Sequence, residues 1–155
     1  MTITPHFLIG ATLATATAST LVAFLLGFFS HFILDALPHF DPGTFHKNKV
    51  GENENWPSWI YLFVLIEFII TVTGFFLLFG QRPDFILLCY GAIGGIAVDI
   101  IDNNPSRFLR RYPFFKQLHW FHTKIHFNLP HKLWYWGVII QLVIIGGSVW
   151  YLLKF

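Results

Sequence analysis

Charge is scarce in this chain. Asp, Glu, Lys and Arg together make up 12% of its 155 residues, against roughly 25% in an ordinary soluble domain. The net charge of +2 gives no support to a nucleic-acid partner, and none is expected. One cysteine, Cys89, excludes an intrachain disulfide; it sits in an apolar run, where packing is its expected role. No basic segment precedes the first apolar stretch, so the small residues from Ala14 to Ser19 are not read as a cleavage site, and the N-terminus is expected to be retained. What the chain has instead is apolar mass: 55% hydrophobic residues, with 19 Phe and 6 Trp. That composition, at a length suited to one domain, predicts an integral membrane protein forming a single unit over residues 1–155.

The punctuation predicts an all-α, polytopic helical bundle of about five membrane helices plus an amphipathic interfacial segment. Thr4-Pro5 opens a first helix, about 5–17, along which Gly10, Ala14 and Ala18 form a small-residue stripe. A continuous helix to Leu37 would run roughly 50 Å, too long for a hydrocarbon core of about 30 Å, so a break near Ser19 is expected. The second helix covers about 20–37 and ends before Pro38. Polar residues from His39 to Asn55 form a loop. The third helix (57–79) is entered through the aromatic belt of Trp56, Trp59 and Tyr61, and the fourth runs about 85–103. The last, about 133–153, opens with Trp134, Tyr135 and Trp136.

Segment 106–129 differs from the rest. With Lys132 just beyond, this stretch holds Arg107, Arg110, Arg111, Lys116 and Lys124, six of the ten basic residues. Phe108, Tyr112, Phe114, Phe115, Trp120 and Phe121 are interleaved with them. This pattern predicts helical structure lying in the membrane surface, interrupted at Pro113. Adding Lys47 and Lys49, eight of the ten basic residues fall on one side of the membrane, which the distribution of positive charge places in the cytoplasm.

The chemistry-bearing residues gather at that same side. His31, Asp35 and His39 recur every four residues in an apolar run, which on a helix stacks them on one face. Gly91, Gly95, Asp99 and Asp102 share an arc of the fourth helix. His119, His122 and His126 share a face of the interfacial segment. Ionisable groups at membrane depth are costly and read as functional, and imidazole with carboxylate suits one or two divalent ions, zinc first, manganese or iron next. His6 is a further candidate ligand. Asp99 or Asp102 could serve as general base, and Arg110, with Arg107 or Arg111, could hold a phosphate. Taken singly, His46 and His131 read as interfacial polar residues, and Glu67 as a group that hydrogen-bonds to another helix or relays protons.

Three motifs, Pro5-His6-Phe7-Leu8-Ile9-Gly10, His31-x-x-x-Asp35-x-x-Pro38-His39, and Asp99-x-x-Asp102 followed by His119-x-x-His122, resemble those of the bacterial inner-membrane metal-dependent hydrolases whose founding member is LexA-regulated. Val98 stands where that family carries proline. The His-x-x-x-Asp helix with a following Pro and His is also similar, more weakly, to that of zinc-dependent phospholipase C. These resemblances imply a metal-dependent hydrolase in the bacterial inner membrane, acting at the cytoplasmic face on a phosphoester or lipid-linked substrate. The residues themselves leave open metal-ion or proton transport, haem binding through paired histidines, and a plain interaction protein.

Overall fold

The computed structural model of the chain describes residues 1–42, 57–102, 108–127 and 129–155, without the side chains of Arg110 and His131. The expectations for His46, Arg107, Arg110 and His131, and for most of the loop after His39, lie outside the described residues.

Threonine chemistry ends the first helix. In α1 (Ile3–Ala14) the Thr12 hydroxyl donates to the Leu8 carbonyl, and just past it Thr15 donates to the Thr12 carbonyl, each at 2.8 Å. Such local bonds compete with helix propagation. The Ser19 hydroxyl then accepts the Val22 N–H at 3.4 Å and starts α2 (Thr20–Asp35). The break near Ser19 is present, and α2 stops two residues short of Leu37, the residue that Pro38 disfavours in a helix. Four more helices follow: α3 (Ser58–Phe79), α4 (Phe85–Asp102), α5 (Pro113–Ile125) and α6 (Trp134–Lys154). Pro113 is the first residue of α5 instead of an interruption, because its missing N–H is one the first turn does not use. A 3-10 turn, Leu109–Arg111, precedes it. No strand occurs among the described residues.

Helices α3, α4 and α6 are long and apolar enough to cross a membrane, whereas α1 and α2 are apolar but shorter. Ile70, Phe76 and Leu77 on α3 and Leu142 and Val143 on α6 are each more than half exposed, a row that suits lipid and not water. By this measure the chain is a membrane protein.

The bundle is centred on α4, which packs against both α1 and α2. Between lipid-exposed helices apolar surface supplies little net drive to associate, so close backbone packing has to do it. A Cβ on Gly91 would collide with the Gly10 carbonyl, one on Gly94 with the Phe24 carbonyl, and one on Gly95 with the His6 carbonyl. Ala11, Ala14, Ala23 and Ala92, all without exposure, complete the seam.

Two polar side chains from the outer helices hold the first turn of α1, whose N–H groups have no partner inside the helix. Glu67 Oε1 accepts the Thr4 N–H (2.9 Å) and hydroxyl (2.8 Å). Gln141 Oε1 accepts the Thr2 N–H (3.0 Å) and hydroxyl (2.7 Å), while its Nε2 donates to the Phe40 carbonyl at 3.0 Å. The interhelical hydrogen bond expected of Glu67 is therefore present. At 1.5 Å per residue, Glu67 lies about 13 Å from the start of α3 and Gln141 about 10 Å from the start of α6. The first turn of α1 is sunk by that depth below the aromatic residues that open the outer helices.

Gly91→Val should lower stability by about 3 kcal/mol, the upper end for overpacking, because the colliding atom is backbone. Thermal unfolding in detergent measures this. Gly74→Ala, whose added Cβ meets nothing within 4 Å, should not lower the transition.

Candidate metal centre

The side chains that converge come from α1, α2, the strap after Pro38, α4 and α5, and Asp35 is bonded to more of them than any other. It lies at the last residue of α2 and has no exposure. Its Oδ2 is 2.7 Å from His122 Nε2 and 3.1 Å from His31 Nε2. Its Oδ1 is 2.9 Å from the Met1 amino group, 3.1 Å from His6 Nε2 and 3.9 Å from His39 Nε2. His39 Nε2 in turn lies 3.2 Å from His126 Nε2. Asp99 Oδ1 stands 3.9 Å from His31 Nε2, with its side chain 16% exposed against 1% for Asp35.

Local structure explains the aim of each ring. His6 and His31 stack with centroids 4.0 Å apart, which the glycine seam allows by bringing α1 and α2 together on α4. His39 is not on the helix with His31 and Asp35. It returns to them on the strap after Pro38, packed against Gly137 of α6, where a Cβ would collide with the Phe40 nitrogen. His122 is the one buried residue of α5, and His126 caps that helix in an extended conformation. The Phe127 N–H donates to the Asp35 carbonyl at 2.7 Å, pinning the end of α5 over the site.

Three of the rings have their Nδ1 committed outward. His31 Nδ1 donates to the Gly95 carbonyl at 2.8 Å and His39 Nδ1 to the Leu37 carbonyl at 2.7 Å. His122 Nδ1 donates to Asp102 Oδ2 at 2.8 Å. A carbonyl only accepts, so in the neutral ring the proton sits on Nδ1 and Nε2 presents a lone pair. This outer bonding is how metal-ligating imidazoles are oriented. His31 Nε2 lies 3.1 Å from Asp35 Oδ2, a spacing that a proton or a metal ion shared between the two would satisfy.

Three overlapping groups have ligand atoms that all lie within 4.8 Å of one another: His6, His31 and Asp99; His31, Asp35 and His122; and Asp35, His39 and His126. Each can hold a metal ion. Of the residues expected from sequence, His6, His31, Asp35, His39, Asp99, His122 and His126 are in these groups. Asp102 and His119 are not. Asp102 stands behind His122 and also accepts from His119 Nδ1 at 2.6 Å, with His119 one-third exposed. Two residues were missed. Asp41 lies 3.6 Å from His126 Nε2, and Gln141 anchors the strap. A lone amide inside a 21-residue apolar helix was the signal for the second.

The protonation of the rings follows from the same geometry. Burial opposes charge on His122, but hydrogen bonds to Asp102 and Asp35 and the charges of Asp35 and Asp99 outweigh it and push its pKa up to about 9. Burial, then the Met1 amino group, lowers His39 to about 4 and His126 to about 3. Without a metal, a proton on His122 is the cation that bridges Asp35 and Asp102.

No family model matches the chain, and neither a curated protein nor a solved structure matches it.

A metal taking His122 Nε2 must displace that proton. Zinc affinity should therefore rise about tenfold per pH unit from 7 to 9 and level off above, with His39 and His126 adding no slope because they are already neutral. Calorimetric titration in buffers of different ionisation enthalpy measures both the affinity and the released proton.

Proposed function

We propose that this protein is a membrane-embedded metal-dependent hydrolase of the bacterial inner membrane, acting at the cytoplasmic face on a phosphoester or lipid-linked substrate. The observation that carries the reading is that five imidazole nitrogens and two carboxylates fall into three overlapping ligand groups, with the outer nitrogens of three rings already bonded. The donor set, imidazole and carboxylate oxygen, fits zinc best and manganese or iron next. Asp35, with its two oxygens facing different histidines, would be shared if two ions were held. His31 and His122 would hold one, and His39 and His126 the other, with His6 and Asp99 at the edge of the first.

Divalent ions in such a site supply Lewis acidity and a water that ionises near neutral pH. The chain's own residues do the rest. Asp99, partly open, takes a proton as general base. Asp102, bonded to His122 Nδ1, would hold that ring in its metal-binding orientation. Arg110 remains the proposed phosphate contact. The resemblance to the inner-membrane hydrolases supports the reaction class, and the sunken position of the site supports a substrate presented from lipid. We place five helices, α1 to α4 and α6, in the bilayer, with α5 in its surface. Within α5, Lys116, Gln117 and Lys124 lie on the face away from His122, Lys124 lies 4.8 Å over the Trp120 ring, and Phe114 is exposed, as suits the headgroup layer.

Asp35→Asn should still insert in membranes, because apolar helices supply insertion, but should lose bound metal by elemental analysis. It should also lose hydrolysis of p-nitrophenyl phosphate and of phosphatidic acid. Full metal content in that variant would overturn the site. Metal without any hydrolysis would leave metal transport or storage as the function. The orientation has its own check: a reporter fused after Phe155 should read as periplasmic, and a cytoplasmic reading would put the site on the outer face.

A further inference from the structure

Behind the metal centre, on the opposite side of α1, a crevice of about 390 Å³ separates α1 from α3, with Val149 of α6 at its edge. Thr4 and Leu8 line it. Each is two residues from His6, and so about 200° around the helix from it, which puts the crevice and the metal centre on different faces. The walls are hydrocarbon: Leu8, Phe63, Ile66, Ile70, Phe75 and Leu78. The crevice is elongated along α3. Glu67 stands toward one end and Phe79, about 18 Å further along the helix, at the other.

Glu67 is half satisfied. Its Oε1 takes both bonds from Thr4, and the Thr71 hydroxyl, 2.6 Å from Thr4 Oγ, extends that chain. Its Oε2 is shielded from water and has no hydrogen-bond partner. A buried polar atom left unpaired is costly, and a donor from a bound molecule would relieve it. A charged head of either sign would bring an ion into a crevice walled by hydrocarbon, which is costly. A neutral hydroxyl does not.

We propose that the crevice binds a hydrocarbon chain of a neutral, hydroxyl-bearing membrane lipid of the acylglycerol class. The hydroxyl donates to Glu67 Oε2 and the chain lies along α3 toward Phe79. This site is independent of the metal reading: it needs no ion and shares no side chain with the centre.

Native mass spectrometry of the full chain in detergent tests it, with monopalmitoylglycerol and the donor-free methyl palmitate as probes. The unaltered protein should retain monopalmitoylglycerol about tenfold more tightly than methyl palmitate, the worth of one hydrogen bond. Gly74→Leu should abolish retention of both. A Cβ at Gly74 meets no atom within 4 Å, so the new side chain enters the crevice without displacing a helix. Ile70→Trp should plug it from the neighbouring turn in the same way. Glu67→Gln keeps an oxygen for Thr4 but turns the second position into a donor, so it should bind both probes equally. Retention of monopalmitoylglycerol at the unaltered level by both plugged variants would overturn the site. Equal binding of the two probes by the unaltered protein would overturn the role of Glu67.

Discussion

One buried carboxylate organises the functional end of this molecule. Asp35 has no exposure, and a charge so placed is tolerated only with close, well-aimed partners. Its partners arrive from α1, from the preceding turn of α2, from the strap after Pro38 and from α5. Each segment brings a positive or metal-binding group, and α5 also closes a backbone bond onto the Asp35 carbonyl. The seating of α5 and the charge balance of the centre are thus one property. His122 is the only residue that α5 buries, and it is bonded on both nitrogens to carboxylates of two other helices.

That arrangement requires three backbones to approach closely. In a membrane the gain from burying apolar surface between helices is small, and short contacts with few side-chain atoms between them supply the association. Gly91, Gly94 and Gly95 make α4 a flat track on which α1 and α2 lie, and the track leads directly to the site. His6 follows from the Gly95 contact, and His31 takes its orientation from the Gly95 carbonyl. The seam that stabilises the bundle therefore also sets the geometry of the ligands.

The outer helices contribute differently. Glu67 and Gln141 are the polar exceptions in long apolar spans, and both satisfy the opening turn of α1. In water that turn could be solvated. Shut in by α3 and α6, its N–H groups take their acceptors from those helices. By holding Thr2 and Thr4, α3 and α6 position His6 while contributing no side chain to the candidate ligand groups. Gln141 also fixes Phe40 and with it the return of His39.

Much of this was legible beforehand, for local reasons. Helix positions follow from apolar runs and from the punctuation at Ser19 and Pro38, which act within a few residues of themselves. The pairing of His31 with Asp35 follows from a spacing of four on one helix, and the glycine arc of α4 announces a close neighbour. Shared spacing misled where the helix ended first. His39 and His126 lie beyond the last helical residue of their segments and reach the centre from the chain that follows. Asp99 and Asp102, read as one stripe, face different partners, because the packing of α2 and α5 against α4 divides that arc between them. Residue chemistry and local periodicity determined an all-α membrane chain with histidines and aspartates concentrated at one end. Which of those groups meet, which stand behind as supports, and that Glu67 and Gln141 serve α1, only the tertiary structure decided. Those facts depend on contacts between helices far apart in sequence, set by backbone approach and by the need to pair every buried polar atom.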